Sequence, residues 1–403
     1  MKQERENLLI LDSGDLLFKD YYLSEPLKKQ LRSKADLIIE SFNRIGCSAF
    51  NIGDYDLAIG VKYLMKKAES AKFPFLSANL IGKNTGKPLF QPYIIKDING
   101  LKVGILGLIT PDIQSRFSKD RSSNLAVKDP FETAKTLVSE LKGKTHLIIA
   151  LTHLGLLSDK ELARRVPGID IIIGGHNRIK LDPPIIINNT LILQAYKEGR
   201  YLGILDLTLH DNVKAEEFIK KAAYKNAIFP LGDTIKDDAE INDLIRNYKR
   251  DLSKSAIESN YYGNKFQAYS PGKGKATTAN VFVGDKVCRT CHPKEYELWK
   301  KTKHARAYQS LINKNQQFDL ECIGCHTTGY DREGGFSNPG RLEKFKGVQC
   351  EECHGPGDKH QRGGDIVKGM SEYVCLRCHT KERSPGFYYK EYLEAVQKKL
   401  FWK

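Results

Sequence analysis

The sequence predicts two unlike folds in one chain: an α/β domain over residues 1–225, a helix and linker over 226–280, and a small, mainly helical domain over 281–403. Three observations carry that division. Short apolar runs alternate with amphipathic helical stretches through the first half. Residues 261–280 have the Gly, Lys, Ser, Thr and Ala content of a linker. Of the 9 cysteines, all but Cys47 fall in the last third.

Taken in order, Leu8–Leu11 reads as a strand, Leu27–Arg44 as a helix, Ala49–Ile52 as a strand, Leu57–Lys67 as a helix and Phe73–Leu76 as a strand. Tyr93–Ile98 and Leu101–Ile109 form a hairpin turned by Asn99-Gly100. Helix Phe131–Lys142, strand His146–Thr152, helix Asp159–Val166 and strand Ile169–Ile173 follow. The tail is β-rich, with Ile185–Ile187, Leu191–Gln194 and Tyr201–His210. Asp233–Ser255 carries Ile241, Leu244, Ile245, Tyr248 and Leu252 on one helical face.

Polar residues gather just past the strand ends, where α/β folds place their sites. Asp15 follows the first strand and Asp54 the next; His153 follows a later strand and His176 the last of the alternating units. Singly, such an Asp is a helix cap and such a His a turn residue. Together, two carboxylates and two imidazoles on consecutive loops suit one divalent metal ion such as Mn, Fe or Zn.

The last third repeats one pattern four times: Cys288-Arg-Thr-Cys291-His292, Cys322-Ile-Gly-Cys325-His326, Cys350-Glu-Glu-Cys353-His354 and Cys375-Leu-Arg-Cys378-His379. Cys-x-x-Cys-His is the attachment signature of c-type haem. Both thiols form thioethers and the histidine is the proximal iron ligand. A zinc ribbon or structural disulfides would explain paired cysteines, but not a histidine after every pair. Four covalently attached haems are therefore expected. About 120 residues cannot enclose them with a conventional core, so the macrocycles must form much of it. His304 and His360 are the two histidines of this region outside the motifs and are the distal-ligand candidates. Two histidines cannot serve four irons, which leaves Met370, a histidine from the first domain, another side chain or an open position for the rest.

Composition narrows the setting. The formal charge is +15, but four haems would add roughly −8 through their propionates. Lysines are spread over every segment, which argues against nucleic-acid binding and leaves an acidic redox partner protein. No apolar run approaches the length of a membrane span. Covalent haem attachment implies the bacterial periplasm or outer cell face, with an export signal expected upstream of this sequence. Cys47 reads as a buried small hydrophobe, His146 and His210 as structural strand residues, and Trp299 and Trp402 as packing residues.

Two family resemblances sharpen these readings. Over roughly residues 7–225 the succession Gly14-Asp15, Gly53-Asp54-Tyr55-Asp56, Phe73-Pro-Phe-Leu-Ser-Ala-Asn-Leu80, Val103-Gly-Ile-Leu-Gly-Leu-Ile-Thr-Pro-Asp112, Leu151-Thr-His-Leu-Gly155 and Gly174-Gly-His176 resembles the calcineurin-like metallophosphoesterases, chiefly their 5′-nucleotidase branch. The resemblance implies a two-sheet α/β/β/α sandwich and a two-metal phosphoesterase centre. It makes Asp15 the metal-bridging Asp, places Asp54 where that family has a metal-binding Asn, and makes His153 and His176 metal ligands. Tyr55 stands where the family has a histidine assisting the leaving group, and Arg178 where it has a last metal-binding histidine. An opening Asp-x-His motif is expected before Asp15 and is not in this sequence. These departures imply at most one metal rather than two, with weak or absent hydrolysis. Residues 284–397 resemble the cytochrome c-554 family of multihaem electron carriers, most specifically from Gly347 to His360.

The expected function is electron transfer by a multihaem cytochrome, with an open haem available for catalysis, fused to a degenerate phosphoesterase-like domain. One rival is a metal-dependent phosphoesterase acting on nucleotides. Another is a module whose former cleft captures a phosphate, nucleotide or partner for the haems.

Overall fold

The computed structural model describes residues 7–21, 23, 25–113, 124–208, 223–232, 234–258, 281–330, 332, 334–336, 341–368, 370–380 and 383–401. His210, Trp402 and the linker read over 261–280 lie outside the described residues. The chain divides into two compact units, Met1–Ile245 and Arg246–Lys403.

The first unit opens with β1 (Leu11–Asp12), α1 (Glu25–Ile45), β2 (Ala49–Asn51), α2 (Val61–Ser70) and β3 (Phe75–Leu76). Strands β1, β2 and β3 pair in parallel as a three-stranded sheet. The first strand is shorter than expected because only Leu11 and Asp12 face partners, Ala49 and Phe50. The helix expected from Leu57 is divided into a 3₁₀ turn at Tyr55–Leu57 and α2. Gly60, at φ +106°, separates them, a conformation helices do not contain.

Next come β4 (Leu80–Gly82), β5 (Tyr93–Ile98), β6 (Leu101–Ile109), β7 (Leu125–Val127), α3 (Pro130–Leu141), β8 (Leu147–His153), α4 (Leu156–Arg165), β9 (Ile171–Gly174), β10 (Ile185–Ile187), β11 (Thr190–Leu193), β12 (Tyr201–Thr208) and β13 (Ala223–Pro230). A six-stranded sheet runs β10-β11-β9-β8-β6-β5, and β4-β7 and β12-β13 form two-stranded pairs. Helix α3 begins at Asp129, whose carboxylate accepts the Phe131 and Glu132 amides at 2.9 Å, with Pro130 in the first turn. Every residue of β8 is buried, as expected for the middle of a sheet covered on both faces.

Three apolar clusters define the layers. One joins α1 and α2 to the small sheet through Leu31, Ile39, Phe50, Leu64 and Phe75. A second lies between the sheets, with Ala49 and Leu76 against Val103, Ile105, Ile149 and Leu151. The third joins the large sheet to α3 and α4 through Leu106, Leu108, Leu137, Leu141 and Leu162. The first unit is therefore a helix–sheet–sheet–helix sandwich.

Helix α5 (Ala239–Glu258) spans the division between the units. The second unit is a chain of short helices: α6 (Asp285–Cys291), α7 (Pro293–Lys300), α8 (Ala307–Ile312), α9 (Leu320–His326), α10 (Leu342–Phe345), α11 (Cys350–His354), α12 (Asp358–Gln361), α13 (Glu372–Leu376) and α14 (Tyr389–Phe401). Its buried apolar side chains, such as Phe282, Leu311, Ile323 and Phe345, belong to none of the three clusters.

Candidate functional site

Strands β1, β2, β8 and β9 deliver their C-terminal ends to one place, where the two sheets meet. Asp15 and Asp54 arrive from the small sheet, His153 and His176 from the large one. The side chains of Asp54, His153 and His176 converge so that one ligand atom from each lies within 4.8 Å of the others. His153 Nε2 is 2.8 Å from Asp54 Oδ1 and 3.1 Å from Asp15 Oδ2, and His176 Nδ1 is 3.3 Å from Asp54 Oδ1. Asp54 and His153 are each 1 % exposed.

The His153 Nδ1–H donates to the Ser13 carbonyl at 2.9 Å, which turns Nε2 toward the two carboxylates. Nε2 makes no hydrogen bond of good direction despite those short approaches. A buried nitrogen among carboxylate oxygens, its other nitrogen tied to a carbonyl, is the usual state of a metal-ligating histidine. Burial opposes charge on His153, yet Asp15 and Asp54 prevail and hold it well above the usual histidine range. Burial likewise pushes Asp54 up, and His153 and His176 overcome it and bring it below the ordinary range. The converging donors are the Asp54 carboxylate and two imidazoles, a set that suits one divalent ion, with Asp15 beside it against His153 but outside the cluster.

Sequence reasoning missed what holds these loops. Asp56, fully buried, accepts the amides of Asp15 and Gly53 on Oδ2 and of Leu17 on Oδ1, all at 2.8 Å. Asp15 Oδ1 in turn accepts the Tyr55 amide at 2.7 Å. Gly14 sits at φ +108°, and a Cβ there would lie 2.6 Å from His153 Nδ1. An acid two residues after a ligand was the available signal, but two of its three amides, those of Asp15 and Leu17, lie on a segment distant in sequence. Beside the cluster, the Arg178 guanidinium lies 5.8 Å from the centre of the Tyr55 ring, and Tyr55 packs edge-on against Tyr21 at 4.4 Å.

In the second unit three of the four proximal-ligand candidates have Nδ1 engaged. Nδ1–H of His326 donates to the Ala307 carbonyl at 2.7 Å and that of His354 to the Val367 carbonyl at 2.8 Å, while His379 Nδ1 bonds Ser384 Oγ at 3.0 Å. Of the distal candidates, His360 Nδ1–H donates to the Gly364 carbonyl at 3.0 Å. His304 lies in a turn between α7 and α8, where its carbonyl accepts the Val348 amide at 2.9 Å. Two histidine pairs form: His292 faces His360 with ring centres 6.1 Å apart and planes 14° apart, and His304 faces His379 at 5.9 Å and 59°. Burial pushes both His304 and His379 below the ordinary range, with His379 adding to the shift at His304.

Thiols of different motifs also meet. Cys288 is hydrogen-bonded to Cys350, and Cys325 to Cys378. Cys325 and Cys378 border a cavity of about 300 Å³. Cys47 is buried, and burial raises its thiol to about 12; His146 Nδ1 accepts the Lys102 amide, and Trp299 Nε1–H donates to the Val348 carbonyl. Among the described residues no helix is long and apolar enough to cross a membrane.

Fold and site together define a metallophosphoesterase-like unit followed by a helical, cytochrome c-like one. Comparison with known proteins gives the particulars. Residues 287–355 match the family Cytochrome c554 and c-prime, a span that takes in the first three motifs. A 5′-nucleotidase of Vibrio cholerae serotype O1 is 35 % identical over 231 residues, covering 50 % of this chain and 40 % of its own length. A 2′,3′-cyclic-nucleotide 2′-phosphodiesterase/3′-nucleotidase of Yersinia enterocolitica is 34 % identical over 198 residues, 43 % of this chain and 30 % of its own. Among solved structures, a 5′-nucleotidase precursor from Thermus thermophilus superposes with a TM-score of 0.51 at 26 % identity, over 62 % of this chain and 51 % of that one. The chain thus spans about half or less of the length of these relatives.

Proposed function

We propose that this chain is a periplasmic tetrahaem c-type cytochrome for electron transfer, fused to a phosphoesterase-like unit that binds one divalent metal and an anion. The observation that carries the first half is the pairing of histidines. A metal–imidazole bond of about 2 Å on each side of one iron, plus about 1 Å from each nitrogen to its ring centre, puts two axial rings about 6 Å apart. The separations of His292 and His360 and of His304 and His379 support that arrangement. The reading takes Cys288, Cys291, Cys322, Cys325, Cys350, Cys353, Cys375 and Cys378 as attachment points, and His292, His326, His354 and His379 as proximal ligands. Bound haem supplies a one-electron couple at iron. The Ala307, Val367 and Ser384 acceptors would orient the imidazoles, and His304 and His360 would serve as the second ligands of two haems. No further histidine stands among the described residues of this unit for the partners of His326 and His354. These two sites are the open ones in this reading.

Haem content by pyridine haemochrome and intact mass is expected to give four per chain. Electron paramagnetic resonance of the oxidised protein is expected to show both low-spin and high-spin iron. Zinc in place of haem, or four low-spin irons, would overturn the corresponding part.

In the first unit, Asp15, Asp54, His153 and His176 would hold the metal ion, which supplies Lewis acidity at the site. Arg178, beside Tyr55, offers its fixed fork of donors to a phosphate oxygen. Because Arg178 and Tyr55 occupy positions where the resemblance has histidines, nucleotide binding is expected with little hydrolysis. Calorimetric titration with Mn²⁺ and then with AMP tests this. Loss of Mn²⁺ binding in His153→Ala and of AMP binding in Arg178→Ala is expected. Rapid Mn²⁺-dependent release of phosphate from AMP by the wild type would favour the hydrolase reading instead.

A further inference from the structure

We propose that Glu351, one of the two spacer residues of the third Cys-x-x-Cys-His motif, positions the axial histidines of the first haem. The inference rests on the haem reading above. Glu351 is 1 % exposed, and its carboxylate meets three backbone donors. Oε1 accepts the Val283 amide at 2.8 Å and the Gly357 amide at 2.7 Å, and Oε2 accepts the Gly284 amide at 2.7 Å.

Those three amides belong to two different elements. Val283 and Gly284 lead directly into α6, which carries Cys288 and ends at His292. Gly357 caps α12, which carries His360. The two histidines face each other at 6.1 Å with nearly parallel planes. A single buried carboxylate therefore joins the start of the proximal element to the start of the distal element of one iron. A second link runs beside it, from the Asp358 amide to the Val281 carbonyl at 3.2 Å. Gln349 ties the same helix start, accepting the Asp285 amide at 3.0 Å.

Three N–H donors need at least two acceptor oxygens, which Glu provides and Gln does not. An amide in its place would turn an NH₂ group onto one of the donors and leave that amide unpaired in a buried site. Nothing else about the haem changes in such a variant, since no cysteine or histidine is altered.

The neighbouring spacer, Glu352, is the internal control. It pairs with Arg332 and Arg377 and accepts the Gly329 amide at 2.8 Å, on the side of the second and fourth motifs. It touches neither α6 nor α12 in these bonds.

The test is made on the full haem-loaded chain, with haem count by mass and spin state by electron paramagnetic resonance. Glu351→Gln is expected to keep four haems while about one haem's low-spin signal is lost to high-spin iron. His360→Ala should lose the same signal, and the double variant should lose no more than either alone. Glu351→Asp, with the charge kept and the reach shortened, should show a partial loss, and Glu352→Gln should retain the His292–His360 signal. If Glu351→Gln cannot be isolated with haem, the Glu351→Asp loss decides, and an unchanged spectrum there overturns the proposal. The proposal is also overturned if Glu351→Gln matches the wild type while His360→Ala does not, or if the loss spreads over all haems. A wild type with fewer than four haems would sink the haem reading itself, a separate outcome.

Discussion

In the first unit the buried carboxylate of Asp56 gathers the amides of Asp15, Leu17 and Gly53; in the second, that of Glu351 gathers those of Val283, Gly284 and Gly357. Each brings together segments that carry candidate metal ligands, and each does so with two oxygens and three donors. The foundations differ. Asp56 works on two loops leaving the small sheet, which two apolar clusters fix between its helices and the large sheet. Glu351 works on helices of 7 and 4 residues outside any such cluster. Isolated helices that short do not persist in water. The first candidate site is held by a protein core, whereas under the haem reading the second would depend on its haems for much of its own interior.

The comparison can be tested at decreasing cost. The largest effect is expected from the pair Cys350→Ala and Cys353→Ala. If the haems are structural, this variant loses more than one haem and the second unit's thermal transition, while the first unit melts as before. Haem-to-protein ratio and calorimetry read both. Next, Leu106→Ala removes a fully buried side chain between the large sheet and α3. It should cost about 2–5 kcal/mol in the first unit's unfolding and leave the haem absorption spectrum unchanged.

Asp56→Asn should weaken Mn²⁺ binding by about 10–100-fold, measured by titration calorimetry, with the haem spectrum unaffected. An unchanged affinity would mean that the sheets alone place Asp15 and Asp54. The smallest effect concerns pH. Burial raises the Asp170 carboxyl to about 7, against about 4 in an unfolded chain. The folded state therefore keeps a proton that the unfolded chain loses between those values. The contribution to stability is complete below about pH 4 and is lost as pH rises through about 7. Asp170→Asn should flatten this decline by at most about 1.4 kcal/mol per pH unit, seen in denaturant unfolding at several pH values.

What the sequence disclosed followed from local rules. The hairpin of β5 and β6 falls where it was expected because Asn99 and Gly100 take φ of +51° and +89°, the values its tight turn requires. Helix α3 and strand β8 were legible because the amphipathic period and the continuous apolar run are strong over their lengths. The pairing of β4 with β7, Leu80 opposite Val127, was not, since two three-residue strands far apart in sequence have no periodicity to read. At the sites, the ligand types and their loops could be read from residues, but the convergence of Asp54, His153 and His176 required the packing of one sheet on another. Asp56 and Glu351 were in plain view beside motif residues. Their role depends on amides that carry no side-chain signature, so no pattern of residue types could mark it.

The cross-motif thiol contacts bear on how such a chain is made. Cys288 lies against Cys350 and Cys325 against Cys378, so an oxidant that arrives before haem finds matched partners in place. Each disulfide formed there would take one cysteine from two motifs, and two such bonds would disable all four. The same fold that collects the haems would then sequester the thiols needed to attach them. Under the haem reading, assembly is a race between oxidation and attachment, and the chain needs a reductant at hand until the last thioether is closed.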